Sequence, residues 1–171
     1  MLVYLINRYG WTSHIFNSVK WEAIAMNVKH FNHRSFFVKW SNGILPTRYF
    51  INKYNPHESP VCPACKCAIE TNEHLLQCPC YSQWRTSFFS ELDSFFIKYN
   101  THQALLRPLL KLVKSYCSGT LDQSKMKDHG MFSVQTSIGW KNFFRGHIAK
   151  VFQEFYELTN SYQDYWTFKL L

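Results

Sequence analysis

The sequence predicts a mainly α protein in which helical segments flank one small module rich in cysteine and histidine, with at most a short β-hairpin. Two observations predict it. Apolar and aromatic residues recur at three- and four-residue intervals over most of the chain, the spacing that lines one face of a helix. Three cysteines and a histidine fall between positions 62 and 78 at intervals that suit a single metal ion.

Before that module, the apolar residues between Trp11 and Tyr54 come in clusters: Ile15 with Val19, Trp21 with Ile24 and Ala25, then Phe36, Phe37, Trp40 and Ile44. These spacings fit three or four short helices, interrupted at Gly43 and Pro46. Pro46-Thr47 can open a further short helix carrying Tyr49, Phe50 and Tyr54. From Tyr81 the pattern predicts a core-facing helix with Trp84, Phe88, Leu92, Phe95 and Tyr99 inward, its stripe widened by Phe89 and Phe96. A second helix carries Leu105, Leu106, Leu109, Leu110, Val113, Tyr116 and Cys117. Pro108 either kinks it or sits in its first turn, and Gly119 ends it. Residues 118–130 lack periodicity and read as a loop or a hinge. A last helix is expected from Ser133 to about Leu158, presenting Trp140, Phe144, Ile148, Val151, Phe152 and Phe155. Gly139 and Gly146 within it each cost about 1 kcal/mol against Ala, offset by close packing. The expected organisation is a basic helical lead-in over 1–56, the metal module over 57–82 and a helical region over 83–171.

The formal net charge is +8, and it is unevenly spread. Residues 1–53 hold seven Lys or Arg against Glu22 alone, and residues 99–150 hold eight against Asp122 and Asp128, whereas 54–98 and 151–171 are net acidic. Basic blocks suit a phosphate-binding surface, because each Lys or Arg on a phosphate releases condensed counterions. No run approaches the roughly 20 apolar residues that cross a bilayer, and Asn7 and Arg8 cut short the apolar opening Met1 to Ile6. The expectation is no membrane and a reducing nuclear or cytoplasmic setting, where six cysteines favour metal over disulfides.

The module reads Cys62-Pro63-Ala64-Cys65, then Glu70-Thr71-Asn72-Glu73-His74-Leu75-Leu76-Gln77-Cys78. Two thiols separated by two residues can bind one ion from a tight turn, and a His and Cys four apart share a helical face. Thr71 is placed as the N-cap of that turn, with His74 at its third position. Three thiolates and a neutral imidazole on one Zn2+ leave no open position, so the site is structural, with a net charge of about −1. Cys62, Cys65, His74 and Cys78 are the preferred ligands. Cys67, Cys80 and His57 are alternatives for the fourth place; a Cys-x-Cys pair makes a poorer chelating turn.

Catalysis is not expected. A zinc deaminase needs His-x-Glu ahead of Pro-Cys-x-x-Cys, the reverse of the order here, and a zinc protease needs His-Glu-x-x-His. Phosphate-loop and nucleophile-elbow motifs are missing too, and no adjacent Asp pair offers polymerase metal ligands.

The stretch Cys62-Pro63-Ala64-Cys65, Glu70-Thr71, His74-Leu75-Leu76, Cys78-Pro79 resembles the C-terminal zinc-binding domain that follows the reverse transcriptase in non-long-terminal-repeat (LINE-like) retrotransposons. Gly43-Ile44-Leu45-Pro46-Thr47 resembles the Gly-x-Leu-Pro-Thr that precedes the knuckle there. Gln135-Thr136-Ser137-Ile138-Gly139-Trp140, with Phe144 and Gly146, resembles a Gln-x-x-Ile-Gly-Trp segment near the C-terminal ends of some members, and Trp11 and Trp21 sit where that group places tryptophans. The resemblance implies a knuckle that helps grip template RNA or target DNA beside an upstream reverse transcriptase domain. Neither polymerase nor endonuclease activity carries over, since the polymerase motifs and the Pro-Asp of the nuclease are missing from this chain.

The leading expectation is therefore nucleic-acid binding in support of reverse transcription. Candidate phosphate contacts are Arg34, Lys39, Arg48, Lys66, Lys141 and Arg145. Tyr49, Phe50 and Trp84 could stack on unpaired bases, though core packing is their expected fate. The alternative is a domesticated or degenerate zinc-stapled protein-interaction module without nucleic-acid binding, motivated by the acidic balance of 54–98.

Overall fold

The computed structural model describes residues 2–30, 32–98, 103–122 and 130–159. It is mainly α, as the periodicity predicts. The helices are α1 Leu2–Tyr9, α2 Ser13–Asn17, α3 Trp21–His30, α4 Arg34–Ser41, α5 Arg48–Tyr54, α6 Asn72–Gln77, α7 Ser82–Lys98, α8 Gln103–Cys117, α9 Met131–Ile138, α10 Trp140–Phe144 and α11 Val151–Thr159. Among the described residues, extended pairing is confined to two antiparallel bridges, Val19 with Ala149 and Val61 with Ile69. No helix among them is long and apolar enough to cross a membrane.

The chain forms two compact units, one of residues 1–34 with 122–171 and one of 35–121. In the first, the two distant segments are sewn together by backbone: Lys20 N–H donates to Ile148 C=O at 2.8 Å, and Lys150 N–H to Ser18 C=O at 2.8 Å. Gln135 is fully buried beneath this bridge. Its amide oxygen accepts from Ala149 N–H at 2.9 Å, and its nitrogen donates to His147 C=O at 3.1 Å. Trp11 Nε1 donates to Ile138 C=O at 3.1 Å. Ile138 and Trp140 are buried beside Val19, Phe132 and Phe152. The Gln-x-x-Ile-Gly-Trp segment thus has a full structural account: an amide bracket, two core side chains and a turn between them.

The single helix expected over 133–158 is three helices. Gly139 at φ 99° and Gly146 at φ 90° occupy the left-handed half of backbone space that glycine tolerates, so they end helical turns instead of riding within one. The break lets the chain fold back and buries His147 against the rings of Tyr9, Trp11 and Trp21, with ring centroids 5.0–5.7 Å apart. Burial pushes the His147 imidazole down to about 4.

In the second unit α8 supplies the core, burying Leu105, Leu106, Leu109, Leu112, Val113, Tyr116 and Cys117, at about 2 kcal/mol for each large side chain. Pro108 lies inside this helix, which begins at Gln103. The inward row of α7 is the one expected only in part, with Leu92 and Phe95 half-buried but Trp84 and Phe88 turned outward. Phe96 is buried, with Arg85, Phe89 and Leu92 half-buried, while Trp84 and Phe88 are 59% and 38% exposed. Adjacent Phe88-Phe89 and Phe95-Phe96 offer two overlapping stripes. Lys114 of α8 pairs with Asp93 of α7 at 3.6 Å and lies over the Phe89 ring. Tyr99 and most of 118–130 lie outside the described residues or at their edge.

Candidate metal centre

A short hairpin makes the first half of the site. Cys62 N–H donates to Ala68 C=O at 2.8 Å and Glu70 N–H to Pro60 C=O at 2.9 Å, flanking the Val61–Ile69 bridge. Lys66 N–H closes back on Cys62 C=O at 2.9 Å, and Lys66 itself has φ 56°, a costly value for a residue with a β-carbon. This tight turn points Cys62 and Cys65 at one volume.

Helix α6 makes the second half. Thr71 is its N-cap: Oγ1 accepts from His74 N–H at 3.1 Å, which places the imidazole at the third helical position. Cys78 caps the other end, donating its N–H to His74 C=O at 2.6 Å. One turn of helix therefore carries both remaining donors to the same face.

The donor atoms of Cys62, Cys65, His74 and Cys78 all lie within 4.8 Å of one another, so the cluster could hold a metal ion. Cys62 Sγ and Cys78 Sγ are 4.0 Å apart, and Cys65 Sγ and His74 Nε2 are 3.3 Å apart. A tetrahedral ion with metal–sulfur bonds of ~2.3 Å and metal–nitrogen bonds of ~2.0 Å needs edges of about 3.8 and 3.5 Å, so the residues fit such an ion. Cys62 and Cys78 are fully buried, and Cys65 and His74 are half-buried.

Hydrogen bonds prepare the sulfurs for negative charge. The backbone N–H of Cys67 donates to Cys65 Sγ, and with help from the Cys67 thiol, His74 and Cys62 it holds the Cys65 thiol down to about 6. Burial pushes Cys78 up to about 11, partly countered by the Cys80 backbone N–H. Hydrogen bonding thus favours the Cys65 thiolate, whereas burial disfavours that of Cys78. Cys67, Cys80 and His57 are exposed and stand outside the four-residue cluster; the Cys80 thiol donates to Ala64 C=O at 3.3 Å.

The cluster is moored on every side by contacts that ligand spacing does not reveal. Glu70 Oε2 accepts from Arg48 N–H at 2.7 Å, and Glu70 C=O from Tyr49 N–H at 3.2 Å, so a residue of the knuckle caps α5. Thr47 completes that N-terminus by accepting from Phe50 N–H at 3.3 Å. Arg85 of α7 donates to Cys78 C=O at 2.6 Å, and Gln77 Nε2 to Tyr116 C=O of α8 at 2.9 Å. The Glu70-Thr71 pair therefore caps two helices at once. The buried Leu45 and Thr47 show what the preceding Leu-Pro-Thr does.

Lys39, Arg48 and Lys66 lie in this unit, and Arg34, Lys141 and Arg145 in the other. Arg34, Lys39, Lys66 and Lys141 are exposed, Arg145 is half-buried, and Arg48 pairs with Glu58 at 3.0 Å. Of the aromatic candidates, Phe50 is half-buried and packs its ring on that of the exposed Tyr54. Tyr49 and Trp84 are not core residues: Tyr49 is exposed beneath Lys53, and exposed Trp84 stacks on Phe88 at 5.7 Å.

Fold and site together define a mainly α protein with a Cys3His cluster able to hold a metal ion. No family model, curated protein or solved structure matches the chain.

Proposed function

We propose that the chain holds one structural Zn2+ on Cys62, Cys65, His74 and Cys78, and that the stapled helices bind nucleic acid in the manner expected of a segment that follows a reverse transcriptase. The observation that carries the metal half is the set of four donors, three sulfurs and one nitrogen within 4.8 Å of one another, a soft set that suits zinc. Four protein donors leave no place for a reacting water, so the ion would tie the hairpin to α6 and take no part in chemistry.

The nucleic-acid half rests on the basic surplus and on the resemblance of the knuckle and its flanks. Lys39 and Lys66 are exposed on the metal-bearing unit, and Trp84 offers an open ring face on which an unpaired base can stack. A second reading has a specific observation behind it. Arg48 is occupied by Glu58, and Trp84 with Phe88 forms an exposed apolar pair, features that suit protein docking without nucleic acid.

A salt titration of the zinc-loaded chain against single-stranded RNA and duplex DNA separates the readings. The nucleic-acid reading predicts that log Kd shifts linearly with log salt, each phosphate contact adding about 0.7 to the slope for single strands and 0.9 for duplex. Lys39→Glu with Lys66→Glu then weakens binding and flattens the slope. A zinc-loaded chain that binds neither nucleic acid at low salt leaves only the protein-interaction reading.

A further inference from the structure

Between Glu22 and Glu58 the sequence has no Asp or Glu, and the part of this stretch that lies in the metal-bearing unit carries Lys39, Arg48 and Lys53. Arg48 pairs with Glu58, and Glu70 directs its carboxylate to the Arg48 N–H. Lys39 and Lys53 are exposed, and each shares a helix face with an exposed ring. On α4 the buried residue is Ser41, while Phe36 is 51% exposed one turn before Lys39. The Phe36 ring lies parallel to that of the half-buried Trp40, at 10° with centroids 6.5 Å apart. On α5 Tyr49 is 41% exposed, and Lys53 Nζ stands 4.7 Å from its ring centroid. The knuckle holds this second ring in place, since Tyr49 N–H donates to Glu70 C=O at 3.2 Å. Trp84 has different company: exposed Glu91, one turn past its stacking partner Phe88, accepts from Ser87 at 3.4 Å and offers a phosphate only repulsion.

We propose that Tyr49 with Lys53, and Phe36 with Lys39, are two seats for unpaired nucleobases, so that the chain prefers single-stranded nucleic acid to duplex. The inference deepens the nucleic-acid reading above and rests on it. In each seat the ring takes the π-face of a base and the ammonium takes a neighbouring phosphate. A base on Phe36 extends a stack of parallel rings that Trp40 already begins. Inside a duplex the base faces are covered by one another, so only the lysines have a partner there. The rings therefore add affinity for single strands alone, and because every base has a π-face they do so with little regard to sequence.

The test is fluorescence anisotropy of the zinc-loaded full chain with three labelled probes of equal length, oligouridine, oligothymidine and a DNA duplex, at matched salt. Both single strands should bind more tightly than the duplex. Tyr49→Ala and Phe36→Ala should each weaken single-strand binding about five-fold or more and leave duplex binding unchanged. Tyr49→Phe keeps the ring and should bind as wild type does. Lys39→Gln with Lys53→Gln should weaken all three probes and flatten the salt slope. Each variant should melt close to wild type, since the four side chains are exposed. Equal affinity for single strands and duplex, or ring variants that bind single strands as wild type does, overturns the stacking seats while leaving nucleic-acid binding intact. A loss confined to Trp84→Ala does the same. A chain that binds none of the probes at low salt overturns both.

Discussion

Removing the hydroxyl that starts α6 should weaken metal binding without touching a ligand. Helix α6 has six residues, far below the ~12–15 at which an isolated helix holds in water, so it depends on its ends. Thr71 Oγ1 accepts the His74 N–H at 3.1 Å, and that one bond orients a ligand. Loss of a Thr N-cap costs about 1 kcal/mol. Because the ion binds only when His74 and Cys78 are presented together, the same free energy appears in the metal equilibrium, making Thr71→Ala about five-fold weaker. Thr71→Ser keeps the oxygen and should stay close to wild type. Competition against a chromophoric chelator reads the affinity directly. An unchanged Thr71→Ala, or a Thr71→Ser as weak as Thr71→Ala, would refute the idea that the cap aims the imidazole.

Gln135→Met keeps the volume but strands Ala149 N–H and His147 C=O, so urea unfolding should show a loss of about 2–4 kcal/mol. His147, with a folded value of about 4 against an ordinary 6.5, stays neutral in the fold while the unfolded chain takes up a proton. Its contribution is complete above pH 6.5 and falls by up to about 3 kcal/mol as the pH drops towards 4; His147→Gln should flatten that part of the profile, whereas acid loss of the metal is common to both proteins. Lys66→Gly relieves a β-carbon at φ 56° and should raise the melting temperature of the metal-loaded chain, by about 1 kcal/mol of stability.

What could be read in the chain was local. The ligand spacing and the Thr71 cap lie within seventeen residues, and helix geometry alone turns that spacing into convergent donors. The short helices before Tyr54, including the one opened at Pro46-Thr47, follow from the same kind of near-neighbour pattern. Three features could not be read. The exposure of Trp84 and Phe88 does not follow from the aromatic repeat of α7, whose contacts to other elements include Asp93 with Lys114 and Arg85 with the Cys78 carbonyl. The helical pattern after Ser133 continued through Gly139 and Gly146, and only the positive φ angles show that each ends a helix. The pairing of residues 18–20 with 148–150 joins segments about 130 residues apart, so no window along the sequence contains both, and sequential divisions at 56 and 82 give no hint of it. Glu70, Gln77 and Arg85 each act on a backbone group of another element, and backbone groups leave no mark in a sequence.

The claim on which the rest depends is that four side chains in the middle of the chain share one ion. Native mass spectrometry of the full chain, purified under reducing conditions and supplied with zinc, should find one ion per chain in wild type, Cys67→Ser and Cys80→Ser, and none in Cys62→Ser or His74→Ala. Retention of a full equivalent of metal after loss of Cys62 or His74 would contradict it, as would a wild-type chain that stays metal-free.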